Sequence, residues 1–92
     1  MAIAQIIEIR GGNKEQYDRV VNELGLKGAQ LAPGQLVHFA GPTEGGWQIV
    51  NVWESQEASD KFQEKLIPAR RKAGMPDVMP AQKVFPVHRL AK

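Results

Sequence analysis

The sequence contains no cysteine, and that absence excludes a disulfide framework, a thiolate zinc site, an iron–sulfur cluster and a cysteine nucleophile together. A chain of 92 residues without such staples has to stand on packing alone. Histidine is nearly as scarce, with His38 and His88 the two in the sequence. Neither lies beside Asp or Glu at a metal-binding spacing, so no metal site is expected. No apolar run approaches the ~18 residues of a membrane span, and residues 1–10 lack the charged start and long apolar core of a signal peptide. The expectation is a cytoplasmic protein with no membrane partner. Charge of one sign is also missing, since the net charge is +2. The basic surplus sits at Arg70, Arg71 and Lys72, just before Gly74, where cations complement the negative end of a helix dipole. A nucleic-acid surface would need a longer basic stripe with stacking aromatics beside it, so no nucleic-acid partner is expected.

What is present is ordinary in amount: 42% hydrophobic and 24% charged residues, the mixture of a globular domain, here expected as a single one over 1–92. Its order is informative. Residues 2–10 carry Ile3, Ile6, Ile7 and Ile9 and read as a buried strand stopped by Gly11-Gly12. Asn13, with Gln16 three residues on, is a helix start; Tyr17, Val20, Val21 and Leu24 then fall at i, i+3, i+4 and i+7, and Gly25 ends the segment. After a loop rich in Gly and Pro, residues 35–41 and 47–53 read as two antiparallel strands around a hairpin turn at 42–46. Ser55 caps a second helix with an apolar stripe at Ala58, Phe62, Leu66, Ala69 and Ala73. Pro68 inside that stripe predicts a kink or two helical pieces. A loop over 75–80 leads to a last strand within 81–90, where Pro86 predicts a sheet edge. The order β-α-β-β-α-β predicts an α+β, ferredoxin-like fold: a four-stranded antiparallel sheet with two helices on one face.

Strand side chains alternate between faces, so each strand sorts into two sets. A hairpin whose paired positions sum to 89 sets His38 opposite Asn51 and Ala40 opposite Ile49. Val37 and Phe39 then share a face with Val50 and Val52, an apolar set suited to lie under the helices, with Phe85 and Val87 beside it. Leu36, His38 and Ala40 join Trp47, Ile49, Asn51 and Trp53 on the other side, with Val84, Pro86 and His88. That second face is too apolar for water. A patch of a few hundred Å² on a small protein marks an interaction surface, and a second copy around a two-fold axis is its simplest cover. A homodimer through the sheet face is therefore expected. His38 and Asn51, with Gln5 and His88 near them, give the same face the composition of a small-molecule pocket.

The order of elements, the run from Gly41-Pro42-Thr43-Glu44-Gly45-Gly46-Trp47 into Val52-Trp53-Glu54-Ser55, the Glu57-Ala58 helix start, Leu66-Ile67-Pro68-Ala69 and the closing Val84-Phe85-Pro86-Val87-His88 resemble the dimeric α+β barrel superfamily. Within it, the chain is similar to the antibiotic-biosynthesis-monooxygenase-like proteins, and the likeness spans nearly the whole chain. Haem-degrading members carry a tryptophan and a haem-ligating histidine on the second helix. This chain has Phe62 there and no histidine between Ser55 and Gly74, so the resemblance does not extend to haem. Cofactor-free monooxygenases of the group use asparagine and tryptophan side chains near a polyphenolic substrate, which Asn51 and Trp53 echo.

No cofactor is expected. The resemblance implies that oxygen reacts with an electron-rich anion of a small aromatic or polyketide-like ligand. His38 is the candidate base and Asn51 the candidate oxyanion donor, with Trp53, Trp47, Leu36, Ile49 and His88 as candidate substrate-binding residues. The competing expectation is a non-catalytic dimeric barrel, in which His38 and Asn51 satisfy each other across two strands, the tryptophans anchor an interface and His88 lies at the rim.

Overall fold

The structure is a computed structural model that describes residues 1–75 and 81–91. Four strands and two helices follow in the order β1 (Ile3–Arg10), α1 (Lys14–Leu24), β2 (Gln35–Thr43), β3 (Gly46–Trp53), α2 (Gln56–Lys72) and β4 (Ala81–Pro86). The strands form one sheet in the order β2-β3-β1-β4, and all three neighbouring pairs are antiparallel. This is the ferredoxin-like arrangement expected from the order of elements. The expected loop over 75–80 lies, beyond Met75, outside the described residues.

Local signals act where the sequence puts them. The Asn13 side chain accepts from the Gln16 N–H at 2.9 Å and Gly25 closes α1 in the left-handed region at φ 75°. The Ser55 hydroxyl accepts from the Ala58 N–H at 3.1 Å and so starts α2. Each cap satisfies a backbone donor that the first helical turn leaves without an internal partner. α2 runs as one element through Pro68 rather than as two pieces. Glu64 and Pro68 are both exposed, so the carbonyl that loses its donor is on the water side, where the loss is mild.

The hairpin register is the expected one, with His38 opposite Asn51 and Ala40 opposite Ile49. Pairing continues to Thr43 opposite Gly46, which tightens the turn to Glu44-Gly45. Gly46 has φ 157° and also faces Arg10 of β1. A Cβ there would collide with the Ile9 carbonyl and with the Gly11 nitrogen, so the close approach of β1 to the hairpin requires glycine.

One expectation is overturned. Apart from a β-bulge at Leu36, which sets Gln35 in its place beside His38, the two side-chain sets are the ones the alternation gives, but they face the opposite way. Tyr17 of α1 packs against His38 and Trp47, and Phe62 of α2 against Trp53. The helices therefore cover the face of His38, Asn51, Ile49 and the two tryptophans. Val37, Phe39, Val50 and Val52 lie on the open face, with Ala4, Ile6 and Phe85 in register beside them; Phe39 is 59% exposed and Phe85 48%. The physical reason is volume and satisfaction. Two helices over a broad sheet leave gaps that large aromatic side chains fill, and the polar groups among them are acceptable because they bond one another. Between the helices, Val20, Ala69 and Ala73 form a small buried cluster flanked by Leu24, Leu66 and Met75. β4 is an edge strand and every residue of it is exposed, as Pro86 led one to expect.

Candidate functional site

A row of polar side chains crosses all four strands on the helix-covered face. Cross-strand neighbours stand close enough to bond side chain to side chain, and the pairing brings His38 of β2, Asn51 of β3, Gln5 of β1 and Val84 of β4 into line. The His38 Nδ1 lies 2.6 Å from Asn51 Oδ1, and Gln35 Nε2 donates to the same oxygen at 2.8 Å. Asn51 Nδ2 donates to Gln5 Oε1 at 3.1 Å, which also receives the Trp53 indole N–H at 3.2 Å. Gln5 Nε2 reaches Gln82 Oε1 at 2.9 Å. Gln5, Gln35 and Asn51 are all buried.

The proton positions in this row follow from its two ends. The indole N–H of Trp53 can only donate, so the atom of Gln5 that it meets is the oxygen. Asn51 must then offer Gln5 its NH2, and it turns its oxygen toward His38. At the other end the Ala32 backbone N–H donates to Gln35 Oε1 at 3.0 Å, which leaves Gln35 its NH2 for the same Asn51 oxygen. With an acceptor facing it, His38 Nδ1 carries a proton. In the neutral ring Nε2 is then the unprotonated nitrogen, and it accepts from the Tyr17 hydroxyl. The rings of Tyr17 and His38 lie parallel, 5° from coplanar orientation, with centroids 6.0 Å apart. Burial, and then the charge of Asp18, push the Tyr17 phenol above its ordinary range, so the hydroxyl holds its proton at neutral pH and donates it to His38.

A cavity of about 130 Å³ lies between this face and the helices. Its sheet side consists of Ile7, Ile9, Gln35, His38, Trp47, Ile49 and Asn51; Tyr17, Val20, Val21 and Leu24 of α1 and Phe62, Leu66 and Arg70 of α2 form much of the rest. The character is apolar with a polar spot at Tyr17, His38 and Asn51, the makeup of a site for a small organic molecule.

The structure brings together His38, Asn51, Trp47 and Ile49 from the residues singled out in the sequence. It does not bring in the others. Trp53 is fully buried, packs 5.1 Å from Phe62 between ring centroids and spends its N–H on Gln5, so it supports the site from behind. Leu36 and His88 are absent from the cavity lining; His88 is exposed beyond the end of β4 and Leu36 sits at the β-bulge between Gln35 and Val37. Asn51, the candidate oxyanion donor, has its oxygen and one N–H engaged within the row. Tyr17 and Gln35 were missed. Tyr17 is the one tyrosine in the sequence and stands in an otherwise aliphatic helical stripe, a signal that a polar tip was being aimed at the sheet. Gln35, just after Gly34 at the strand start, carries no comparable signal.

Among the described residues no cluster of His, Asp and Glu could hold a metal ion, and no described helix is long and apolar enough to cross a membrane. No family model matches the sequence and no curated protein matches it. Among solved structures the chain is similar to a monooxygenase from Streptomyces coelicolor, encoded by ActVA-Orf6, whose structure is in complex with Nanaomycin D. The TM-score is 0.55 at 19% identity, over 99% of this chain and 90% of that one. At that identity the likeness is one of fold, and the α+β, ferredoxin-like arrangement expected from the order of elements is the fold this chain has.

Proposed function

We propose that the chain is a homodimeric enzyme of the cofactor-independent monooxygenase kind that acts on a small aromatic compound, with His38 as base and Tyr17 as the group that passes it the proton. The observation that carries this reading is the held geometry of His38: one nitrogen is fixed to Asn51 and the other faces the Tyr17 hydroxyl in the wall of an apolar cavity. A substrate hydroxyl that meets the Tyr17 oxygen gives up its proton as the Tyr17 proton moves to His38 Nε2. The products are a substrate phenolate and an imidazolium whose Nδ1–H stays on Asn51. Asn51 acts as a positioning residue, held by Gln5 and Gln35.

The electron-rich anion then reduces molecular oxygen taken from solution. A ring CH2 or its enol form becomes C=O, one oxygen atom enters the substrate, and the other leaves as water with the two hydrogens. The fold neighbour, a monooxygenase, supports this chemistry over other uses of a His–Tyr pair. Oxygen uptake with a panel of hydroquinones and anthrones tests it. Uptake by the wild type that falls at least about a hundredfold in His38→Ala is expected; equal rates overturn the assignment of His38.

A second reading has its own observation. The direct His38–Asn51 bond and a cavity of about 130 Å³, below the ~300 Å³ usual for ligand pockets, suit a non-catalytic barrel that binds a small metabolite. Saturable binding without oxygen uptake or chemical change would favour that alternative.

The homodimer belongs to the same proposal, but through other residues than the sequence suggested. The open face presents Ile6, Val37, Phe39, Val50 and Phe85 to solvent, an apolar surface that a second copy would cover. Sedimentation equilibrium at micromolar concentration is expected to give twice the chain mass of 10.2 kDa; the monomer mass overturns this part of the proposal.

A further inference from the structure

The row of amides leaves His38 one place to take a second proton. Its Nδ1–H is held by the Asn51 oxygen at 2.6 Å. That oxygen cannot change places with the Asn51 NH2, because Gln35 donates to it at 2.8 Å and Gln5 needs the NH2. A proton from water therefore enters at Nε2, the nitrogen that accepts from the Tyr17 hydroxyl. An imidazolium donates from both ring nitrogens, so two hydrogens would then meet between Nε2 and the Tyr17 oxygen. The hydroxyl has to turn away, and its oxygen accepts from the ring instead. Among the described residues the Tyr17 hydroxyl has no second hydrogen-bond partner, and Tyr17 and His38 both stand in the cavity wall. Few charged groups surround the pair: Asp18, which follows Tyr17 on α1 and is paired with Lys14 at 2.8 Å, and Arg70 on α2. The wall residues of β1, β3 and the loop before β2 are uncharged.

We infer that Tyr17 and His38 form a pH-set donor–acceptor switch that decides which ligand oxygen the cavity takes. With His38 neutral, the Tyr17 oxygen offers a lone pair and receives a ligand hydroxyl. With His38 charged, Tyr17 offers its O–H and takes a carbonyl or another acceptor oxygen. This rests on the reading of the cavity as the ligand site and deepens it. The charged state is also the one that the proposed proton transfer leaves behind, so the wall becomes a donor as the ligand oxygen becomes a phenolate. A ligand without a hydroxyl sets lone pair against lone pair while His38 is neutral, and a site built around one bonding pattern rejects the ligand that lacks it.

Three single-ring probes separate the two states: acetophenone only accepts, phenol both donates and accepts, and toluene does neither. Each is titrated into the isotope-labelled full chain from about pH 5 to pH 8. The backbone signals of Tyr17 and Ile49 report occupancy, and the nitrogen-15 shifts of the His38 ring report its charge. Acetophenone is expected to bind about tenfold more tightly on the acid side, the change following the titration of His38, while phenol and toluene stay level. Tyr17→Phe and, separately, His38→Gln are expected to flatten the acetophenone profile. An acetophenone affinity that is flat or rises with pH while those backbone signals respond overturns the switch and leaves the cavity as the ligand site. A pH dependence that survives Tyr17→Phe overturns it as well. If no probe moves any cavity signal, the switch and the reading of the cavity fall together.

Discussion

The two faces of the sheet are both apolar in the main, yet they are built for different ends. Under the helices, Trp47, Trp53 and Ile49 surround a row of amides that ends on His38 and Tyr17. On the open side, Phe39, Val50 and Phe85 carry no polar partner among them, and two of the three are about half exposed or more. The difference lies in what each face has to satisfy. Buried polar groups are tolerated where every neighbour in the chain of bonds agrees on who donates, and this agreement fixes positions tightly. An aliphatic and phenyl surface has no such directional demand, so it suits contact with a second copy rather than chemistry.

Substitutions separate the faces. Trp53→Ala removes the largest fully buried side chain and the donor that orients Gln5. We expect it to lower stability by about 3–5 kcal/mol, read by denaturant unfolding; a loss comparable to that of an exposed site would break the claim that this face is the core. Tyr17→Phe keeps the ring against Trp47 but removes the hydroxyl on His38. Oxygen uptake is expected to drop roughly 10²- to 10⁴-fold with a stability change of only about 1 kcal/mol. A variant with full activity would remove Tyr17 from the proton path.

Phe39→Asp tests the other face. A charge on the open surface is neutral for a monomer and unfavourable across an interface, so the sedimenting mass is expected to halve while the fold persists at low concentration. Unchanged mass would show that this face does not carry the contact.

The smallest effect is in pH dependence. The folded-state pKa of Tyr17 is raised above its ordinary 10.0 by burial, so the folded chain keeps that proton longer than the unfolded one. The associated stability is fully present below about pH 10 and is lost as pH rises through the higher folded value. Because Tyr17 is the sole tyrosine, ultraviolet absorbance of its tyrosinate reads the titration directly. A midpoint above 10 in the folded chain is expected, and one at or below 10 contradicts the buried placement.

Much of this was legible in the sequence because the signals are local. Asn13 and Ser55 cap where they should, Gly25 and Gly74 close the helices, and the turn residues set the hairpin register that pairs His38 with Asn51. Which face meets the helices was not. Alternation sorts residues into two sets but carries no label for inside, and the wholly apolar set of Val37, Phe39, Val50 and Val52 looked more like a core than a set with His38 and Asn51 in it. The missing information was tertiary: Gln5, Gln35 and Tyr17 come from three separate elements, and only their convergence makes the polar set buriable. Tyr17 carried a signal as the lone phenol of an aliphatic stripe, but its spacing in α1 is that of an ordinary core position and does not say which sheet residue it meets.

The central claim is that a row of amides, fixed at its ends by Trp53 and the Ala32 N–H, holds His38 with its bare nitrogen toward Tyr17. Nitrogen-15 shifts of the His38 ring at neutral pH test it most directly. The account predicts the Nδ1–H tautomer with Nε2 as an acceptor; an Nε2–H tautomer, or an even mixture of the two, would contradict it.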